Sequence, residues 1–511
     1  MSGIITKKKE IIERHSRSVF ERESRPFLKN TGSPIKEFGD DERIPANSKI
    51  TPLIIANSNP SPDPRTVGEN FDFLIKDALI LTLSPAHPDP IPRGAIGIKD
   101  SRITYLGARC PEDRTAREVI DGRGFLVLPG LINTHTHSAM TIFRGLADDL
   151  PLKDWLEKHI FPAEARFINP DTVYWGSLLA CAEMIRSGTT TLADGYFCLE
   201  GSARAIDQSG MRAVLAPGVI DFPAPGVSDP ADNIRVARDF VEKWSGLSPR
   251  IRLGVFPHSL YTCSSNTLKK AKALALEKAI PFFIHLAETR EEIALVQGQN
   301  GLTPVRYIHR LGCLDASTVG VHVNYLDQEE MALLAEAGAR VSHCPESNMK
   351  LGAGVTPVVD LLAKGIVVGL GTDGCAGNND LDLFREMGTA ARLHKVHRLD
   401  PTLLGAHSVL EMDTLEAAKV LGLEKEIGSL EVGKQADLIL IDLNRPHLTP
   451  LYHTFSHLVY AASGPDVDTV FIAGQMVMRH RRLLTLDWEE IRGRTVAISR
   501  EIRPASGKGQ R

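Results

Sequence analysis

Apolar residues in this chain come in short bursts whose spacing changes twice between the two ends. From Phe71 the bursts are brief and strand-like: Phe73-Leu74-Ile75, Ala78-Leu79-Ile80-Leu81, Gly97-Ile98 and Ile103-Thr104-Tyr105-Leu106-Gly107, with turn residues between them. Residues 428–441 and the run Val470-Phe471-Ile472-Ala473-Gly474 repeat that character near the other end. One small β-sandwich built from both chain ends, over residues 70–128 and 427–511, would account for the likeness. Between these parts, strand-like runs alternate with helical spacing, as in residues 266–278 and 327–338. The apolar runs end near His135, Asp194, Val219, His258, His285, His322, His343 and Asp373. Eight such units across residues 129–426 predict an α/β fold of the (β/α)8 TIM-barrel type, whose strand ends converge on one mouth. Most of those ends carry His or Asp.

Residues 1–69 break the pattern. They carry charges such as Lys7, Lys8, Lys9 and Glu10, then the polar run Asn57-Ser58-Asn59-Pro60-Ser61-Pro62, with no sustained periodicity. Such a segment cannot bury enough apolar surface to offset its ordering entropy. A flexible extension, or translation from an upstream start codon, is the expectation, with a regulatory arm as the alternative. Deleting residues 1–69 is therefore expected to leave melting temperature and activity unchanged. A clear drop in melting temperature would show that the segment docks elsewhere.

Composition narrows the function classes. At 511 residues and 43% hydrophobic the chain can bury a large core, and its net charge of −4 lacks the basic excess of a nucleic-acid or membrane-surface binder. No apolar run approaches the roughly 18 residues of a transmembrane helix, and the charged N-terminus has no signal core. Seven cysteines lie scattered from Cys110 to Cys375 without a C-x-x-C pair. They read as reduced thiols in a cytoplasmic protein. A small-molecule enzyme, expected to be a homo-oligomer, fits these bounds.

The chemistry centres on Leu128-Pro129-Gly130-Leu131-Ile132-Asn133-Thr134-His135-Thr136-His137. On a strand, alternate side chains share a face, so His135 and His137 can grip one ion from one side. A bare H-x-H is more often a pair of polar core or loop histidines; the downstream His and Asp residues shift the balance. His285 follows four apolar residues and adds a third nitrogen, while Asp373, in Gly371-Thr372-Asp373-Gly374, adds a carboxylate. Three His and one Asp leave a coordination position for water, as catalytic zinc sites require. A divalent ion there brings the pKa of that water to roughly 7. Glu288, three residues after His285, is placed as general acid and base, the alternative being a solvated loop carboxylate in an acid-rich run. His322 ends the sixth apolar run, where it can orient the attacking water, and His258 ends the fourth, where it can meet substrate. Each of these two could equally be a core histidine. His343 is assigned to the scaffold.

Several ordered motifs make the reading specific. Pro129-Gly130-Leu131-Ile132-Asn133-Thr134-His135-Thr136-His137, Ser342-His343-Cys344-Pro345 before Ser347-Asn348-Met349-Lys350-Leu351, and Gly371-Thr372-Asp373-Gly374 before Asn378-Asn379-Asp380-Leu381-Asp382 resemble the amidohydrolase superfamily. Within it the chain resembles the branch of 5′-methylthioadenosine and S-adenosylhomocysteine deaminases, which also holds triazine chlorohydrolases. That resemblance implies a barrel with a composite sandwich and one zinc or iron ion on His135, His137, His285 and Asp373. It also implies a catalytic acid at Glu288 and a water-orienting histidine at His322. Residues 155–165 look like the deaminases' loop after the first strand, which implies ribose recognition by Glu164, a pocket wall at Trp155 and purine contact by His258. The same stretch also reads as an amphipathic helix with Trp155, Leu156, Ile160 and Phe161 inward. Gly377 stands where the family often has Ser, and no arginine is placed to clamp the carboxylate of S-adenosylhomocysteine. The expected activity is hydrolytic deamination of a modified adenosine, 5′-methylthioadenosine first, then S-adenosylhomocysteine or adenosine. A chlorohydrolase or another nucleobase or pterin deaminase would share the site. A non-enzymatic scaffold would show lost ligand positions, and none is lost.

Overall fold

The computed structural model describes residues 71–110 and 114–502, so the expected extension over residues 1–69 lies outside the described residues. Strands from both chain ends meet in one nine-stranded sheet. Phe71–Ile80 pairs antiparallel with Ile91–Lys99 and parallel with Ala116–Asp121 and Phe125–Pro129. Phe125–Pro129 in turn pairs antiparallel with Leu438–Asp442, which carries Val467–Ile472 and then Gln475–Arg479. This double use of Phe125–Pro129 joins the strands of the two halves in one hydrogen-bonded sheet. The two apolar runs of Phe71–Ile80 also form one strand instead of two. Asp77 takes a left-handed φ of 59°, absorbed as a register shift against the neighbouring strand. Of residues 428–441, only the part from Leu438 enters a strand, Gly433 turning the preceding chain at φ 95°.

The inserted part holds the alternating units. Leu131–Thr136, Thr189–Tyr196 and Arg212–Val219 run parallel in a five-stranded sheet that Ile251–Leu253 and Phe256–Pro257 complete. Phe282–Leu286, Thr318–His322, Arg340–His343 and Val368–Leu370 form a parallel four-stranded sheet. All eight residues of Thr189–Tyr196 and all five of Phe282–Leu286 are buried, as expected of parallel strands covered on both faces. The sheets touch through single bridges, Val255 to Phe282 and Ser259 to His285. At the other junction side chains replace a ladder. The Asn133 Oδ1 accepts from the Thr372 N–H (3.1 Å), the Thr134 hydroxyl donates to the Leu370 carbonyl (2.8 Å), and the Ile132 N–H is taken by the Asp413 carbonyl (2.8 Å). At the rim the two strand ends meet backbone to backbone, the Asp373 N–H donating to the His135 carbonyl at 3.0 Å. That last bond places Asp373 beside the first histidine.

The helices stop where local chemistry says they should. The 327–338 pattern becomes Gln328–Ala337, opened by a capping box between Asp327 and Glu330 and closed by Gly338 at φ 66°. The 266–278 pattern becomes Ser265–Lys278, capped by the Ser264 side chain. Helix Leu415–Leu421 packs Ala417, Ala418 and Val420 against Ile132, Ala193, Val214, Phe283, Val319 and Val321 from the parallel strands. Among the described residues no helix is long and apolar enough to cross a membrane.

Candidate active site

The strand ends deliver His135, His137, His285 and Asp373 to one point. The His137 Nδ1 lies 2.5 Å from the Gly195 carbonyl. A carbonyl can only accept, so the proton sits on Nδ1 and the Nε2 lone pair is left for the site. That Nε2 is 3.4 Å from the Asp373 Oδ1, and the His135 Nε2 is also 3.4 Å from the same oxygen. The His285 Nε2 lies 3.3 Å from the His135 Nε2. Donors about 2.0–2.1 Å from a tetrahedral ion lie about 3.3 Å from one another, so the two overlapping groups here, His135 with His137 and Asp373 and His135 with His285 and His322, could hold a metal ion. Burial lowers the pKa of His135 to about 4 and drives that of His285 well below normal, which keeps both imidazoles neutral. Burial alone would raise Asp373, but its contacts with His135, His137 and His322 hold its carboxyl well below the usual range.

A shell of polar contacts orients these side chains. The Ser347 hydroxyl donates to the Asp373 Oδ2 (2.6 Å) and the Gly374 N–H to its Oδ1 (2.7 Å). The buried Asp194 accepts from the Ser138 N–H (2.6 Å) and hydroxyl (2.7 Å), pinning the turn after His137. The backbone is left-handed at Ala287 (φ 52°), His322 (71°), Val323 (42°) and Asp373 (61°), none of them glycine. Each costs on the order of 1 kcal/mol or more, and such residues cluster where function needs an unusual side-chain direction.

Glu288 is buried in the same opening. Burial, helped by the Asp373 charge, pushes its carboxyl up to about 8, so it is protonated at neutral pH. Its backbone is clamped on both sides: the Glu292 carboxylate accepts the N–H groups of Ala287 (3.1 Å) and Glu288 (2.7 Å), and the Asn324 amide donates to the Glu288 carbonyl (2.9 Å). The His322 Nε2 stands 3.8 Å from the Glu288 Oε1. The Asn348 amide donates to the Asn324 Oδ1 (2.8 Å), so its own oxygen accepts the Nδ1 proton of His322 (2.9 Å). The Nε2 of His322 is therefore an acceptor facing the site.

A partly open pocket continues from this cluster. Trp155, Glu164 and His258 all line it, together with Glu288, His322 and Asp373. The 155–165 stretch is helical with a π turn, Leu156–Ile160, between Leu152–Trp155 and Phe161–Phe167. Trp155 and Ile160 are buried as the amphipathic pattern expects, while Leu156 and Phe161 also reach the cavity. Glu164 is buried and accepts a hydrogen bond from the Tyr196 hydroxyl (2.7 Å); burial raises its carboxyl to about 7. His258 packs 4.8 Å from the His285 ring, and burial lowers it to about 3, leaving a neutral imidazole in contact with Thr262. Among the described residues lining the cavity there is no lysine or arginine. A Cβ at Gly377 would meet Leu351 at an ordinary 3.5 Å, so crowding does not account for the missing Ser. His343, assigned to the scaffold, is fully buried with its Nε2 3.2 Å from the His394 Nε2.

The sequence profile of the amidohydrolase family matches residues 126–477. The chain belongs to the amidohydrolase family. Enzymes of this family are metal-dependent, in keeping with the donor set. The amidohydrolase is 47% identical over 437 residues to a Syntrophus aciditrophicus protein named 5-methylthioadenosine/S-adenosylhomocysteine deaminase 1, covering 85% of this chain and 98% of that one. It is 44% identical over 423 residues to a 5′-deoxyadenosine deaminase of Methanosarcina mazei, covering 82% and 96%. The crystal structure of an adenosine deaminase from Xanthomonas campestris with bound zinc superposes with a TM-score of 0.82 at 37% identity, covering 85% and 99%.

Several residues of the amidohydrolase site had no role in the sequence analysis. Ser347 and Asn348 were quoted only as part of a motif, yet one holds Asp373 and the other His322. Glu292 is three residues after the N-cap Thr289, a position from which a carboxyl reaches back to backbone N–H groups before the helix, and that spacing was the available signal. Asp194 and Tyr196 alternate on one strand, as His135 and His137 do, and that period was the available signal for both.

Proposed function

We propose that this amidohydrolase is a metal-dependent hydrolytic deaminase that converts 5′-methylthioadenosine and water to 5′-methylthioinosine and ammonia. The observation that carries the reading is one cavity with a four-donor cluster and a protonated Glu288 at its floor and a second buried carboxylate, Glu164, on its wall. His135, His137, His285 and Asp373 would hold one divalent ion, zinc by preference and iron as the alternative for the same donors. Bound there, the ion supplies Lewis acidity that brings a water into the neutral titration range. His322 accepts a hydrogen bond from the water and fixes its approach to C6 of the purine. As the new C–O bond forms, Asp373 takes a proton from that water and Glu288 gives its proton to N1. Collapse breaks the C6–N bond as the C6 hydroxyl becomes a carbonyl and returns its proton to Glu288, and the proton held by Asp373 leaves with the amine as ammonia. His258, neutral, packs against the ring, Trp155 walls the pocket, and Glu164 accepts from the ribose hydroxyls.

The fold reading that goes with this chemistry is a closed eight-stranded barrel over residues 129–426. The bridges at Val255 and Ser259 and the side-chain junction at Asn133 and Thr134 support closure. A composite sandwich over residues 70–128 and 427–511 is supported by Arg102–Gly107 curling back on the 433–436 segment, where the Ile103 N–H reaches the Lys434 carbonyl (3.0 Å). A cytoplasmic homo-oligomer completes the proposal.

The test is a substrate panel assayed for ammonia and chloride: 5′-methylthioadenosine, S-adenosylhomocysteine, adenosine, guanine and a chlorotriazine. 5′-Methylthioadenosine is expected to lead, and the homocysteine substrate to trail for want of a cation among the lining residues. Glu164→Ala should lower kcat/KM for nucleosides at least about tenfold, because sugar hydroxyls left unpaired cost on the order of 1–3 kcal/mol. A free base or chlorotriazine as best substrate, or an unchanged kcat/KM in Glu164→Ala, would overturn the assignment.

A further inference from the structure

We propose that Tyr196 is a positioning residue for sugar recognition, holding the Glu164 carboxylate as an acceptor for a vicinal diol; this rests on the nucleoside reading above. Tyr196 ends the buried strand Thr189–Tyr196 and is 3% exposed, as is Glu164 on the helix Phe161–Phe167. The phenol donates to the Glu164 Oε1 at 2.7 Å across 32 residues of sequence. That one bond takes one lone pair of Oε1 and leaves Oε2 for a ligand.

The two side chains differ in how firmly they are held, and the difference gives the contact a purpose. Tyr196 is fixed by the parallel ladder to Arg212–Val219 and by its ring contacts with His137 (6.1 Å) and Phe197 (5.7 Å). Glu164 follows a π turn and reaches the cavity on a side chain with three rotatable bonds. A donor on the rigid strand removes the rotamer freedom that a diol would otherwise have to remove on binding. The same donor favours the ionised carboxylate, opposing the burial that pushes Glu164 up to about 7. An ionised, oriented carboxylate accepts from both hydroxyls of a cis diol; a protonated or swung one does not.

The discriminating experiment compares adenosine with 2′,3′-dideoxyadenosine in wild type, Tyr196→Phe, Glu164→Ala and the double variant, with melting temperatures as the check on folding. Tyr196→Phe is expected to raise KM for adenosine about fivefold with kcat within about twofold, and to leave the dideoxynucleoside unaffected. In the Glu164→Ala background the tyrosine substitution should have no further effect, as a coupled pair requires. Tyr196→His, which keeps a ring and an N–H donor, is expected to recover part of the loss and serves if the phenylalanine variant does not fold. Equal losses on both nucleosides, a loss confined to kcat, or a tyrosine effect that persists without Glu164 would overturn the proposal while leaving nucleoside deamination intact. Failure of the wild type to deaminate either nucleoside would overturn the nucleoside reading and this inference with it.

Discussion

Replacing Glu288 with glutamine is expected to lower turnover by about 10² or more while substrate and metal binding persist. The substitution keeps size and shape in a site where the backbone on either side is clamped by Glu292 and Asn324. It removes one property, the proton that Glu288 carries at neutral pH because burial and Asp373 hold its carboxyl up to about 8. Losing a positioned proton donor costs roughly 10²–10⁴ in rate. The pH profile gives an independent check. As pH rises through about 8 the acid ionises and kcat should fall in wild type, whereas glutamine does not titrate and the variant should lack that limb. Stoichiometric metal with collapsed kcat and a lost alkaline limb is the expected pattern. Turnover near wild type would remove Glu288 from the mechanism.

How far the site could be read in advance depended on whether the signal was local. His135 and His137 announce themselves because strand period is two, and Asp373 because a carboxylate closes an apolar run. Glu288 follows from its distance to His285. The contact between Tyr196 and Glu164 could not be read this way, since it joins a strand to a helix 32 residues apart. Neither could the junction at Thr134, whose partners Leu370 and Ser342 lie 236 and 208 residues away. The same reason underlies the sheet. Alternation marked the strands at both ends, but that Phe125–Pro129 would pair with both halves is a matter of three-dimensional register, to which alternation is blind. Ser347 and Asn348 sit between these cases, legible as a motif and silent about which ligand each one holds.

His135→Ala is expected to abolish both metal retention and turnover. His135 is the most shared member of the cluster, its Nε2 lying 3.3 Å from the His285 Nε2 and 3.4 Å from the Asp373 Oδ1. Alanine removes one of the four proposed donors and also the contact that does most, among its neighbours, to hold the Asp373 carboxyl down against burial. The remaining carboxylate then binds protons more readily, and proton and metal compete for it. A ligand that binds only the folded state adds RT ln(1 + [L]/Kd) to stability, so metal-dependent stabilisation should vanish with the site. The measurement is elemental analysis of wild type and variant, with melting curves in the presence and absence of added zinc. Wild type is expected to hold one ion per chain and to gain melting temperature with zinc, and the variant to show neither. Fully active wild-type protein without stoichiometric metal would overturn the role assigned to all four donors, because a water activated only by Asp373 and His322 would then have to suffice.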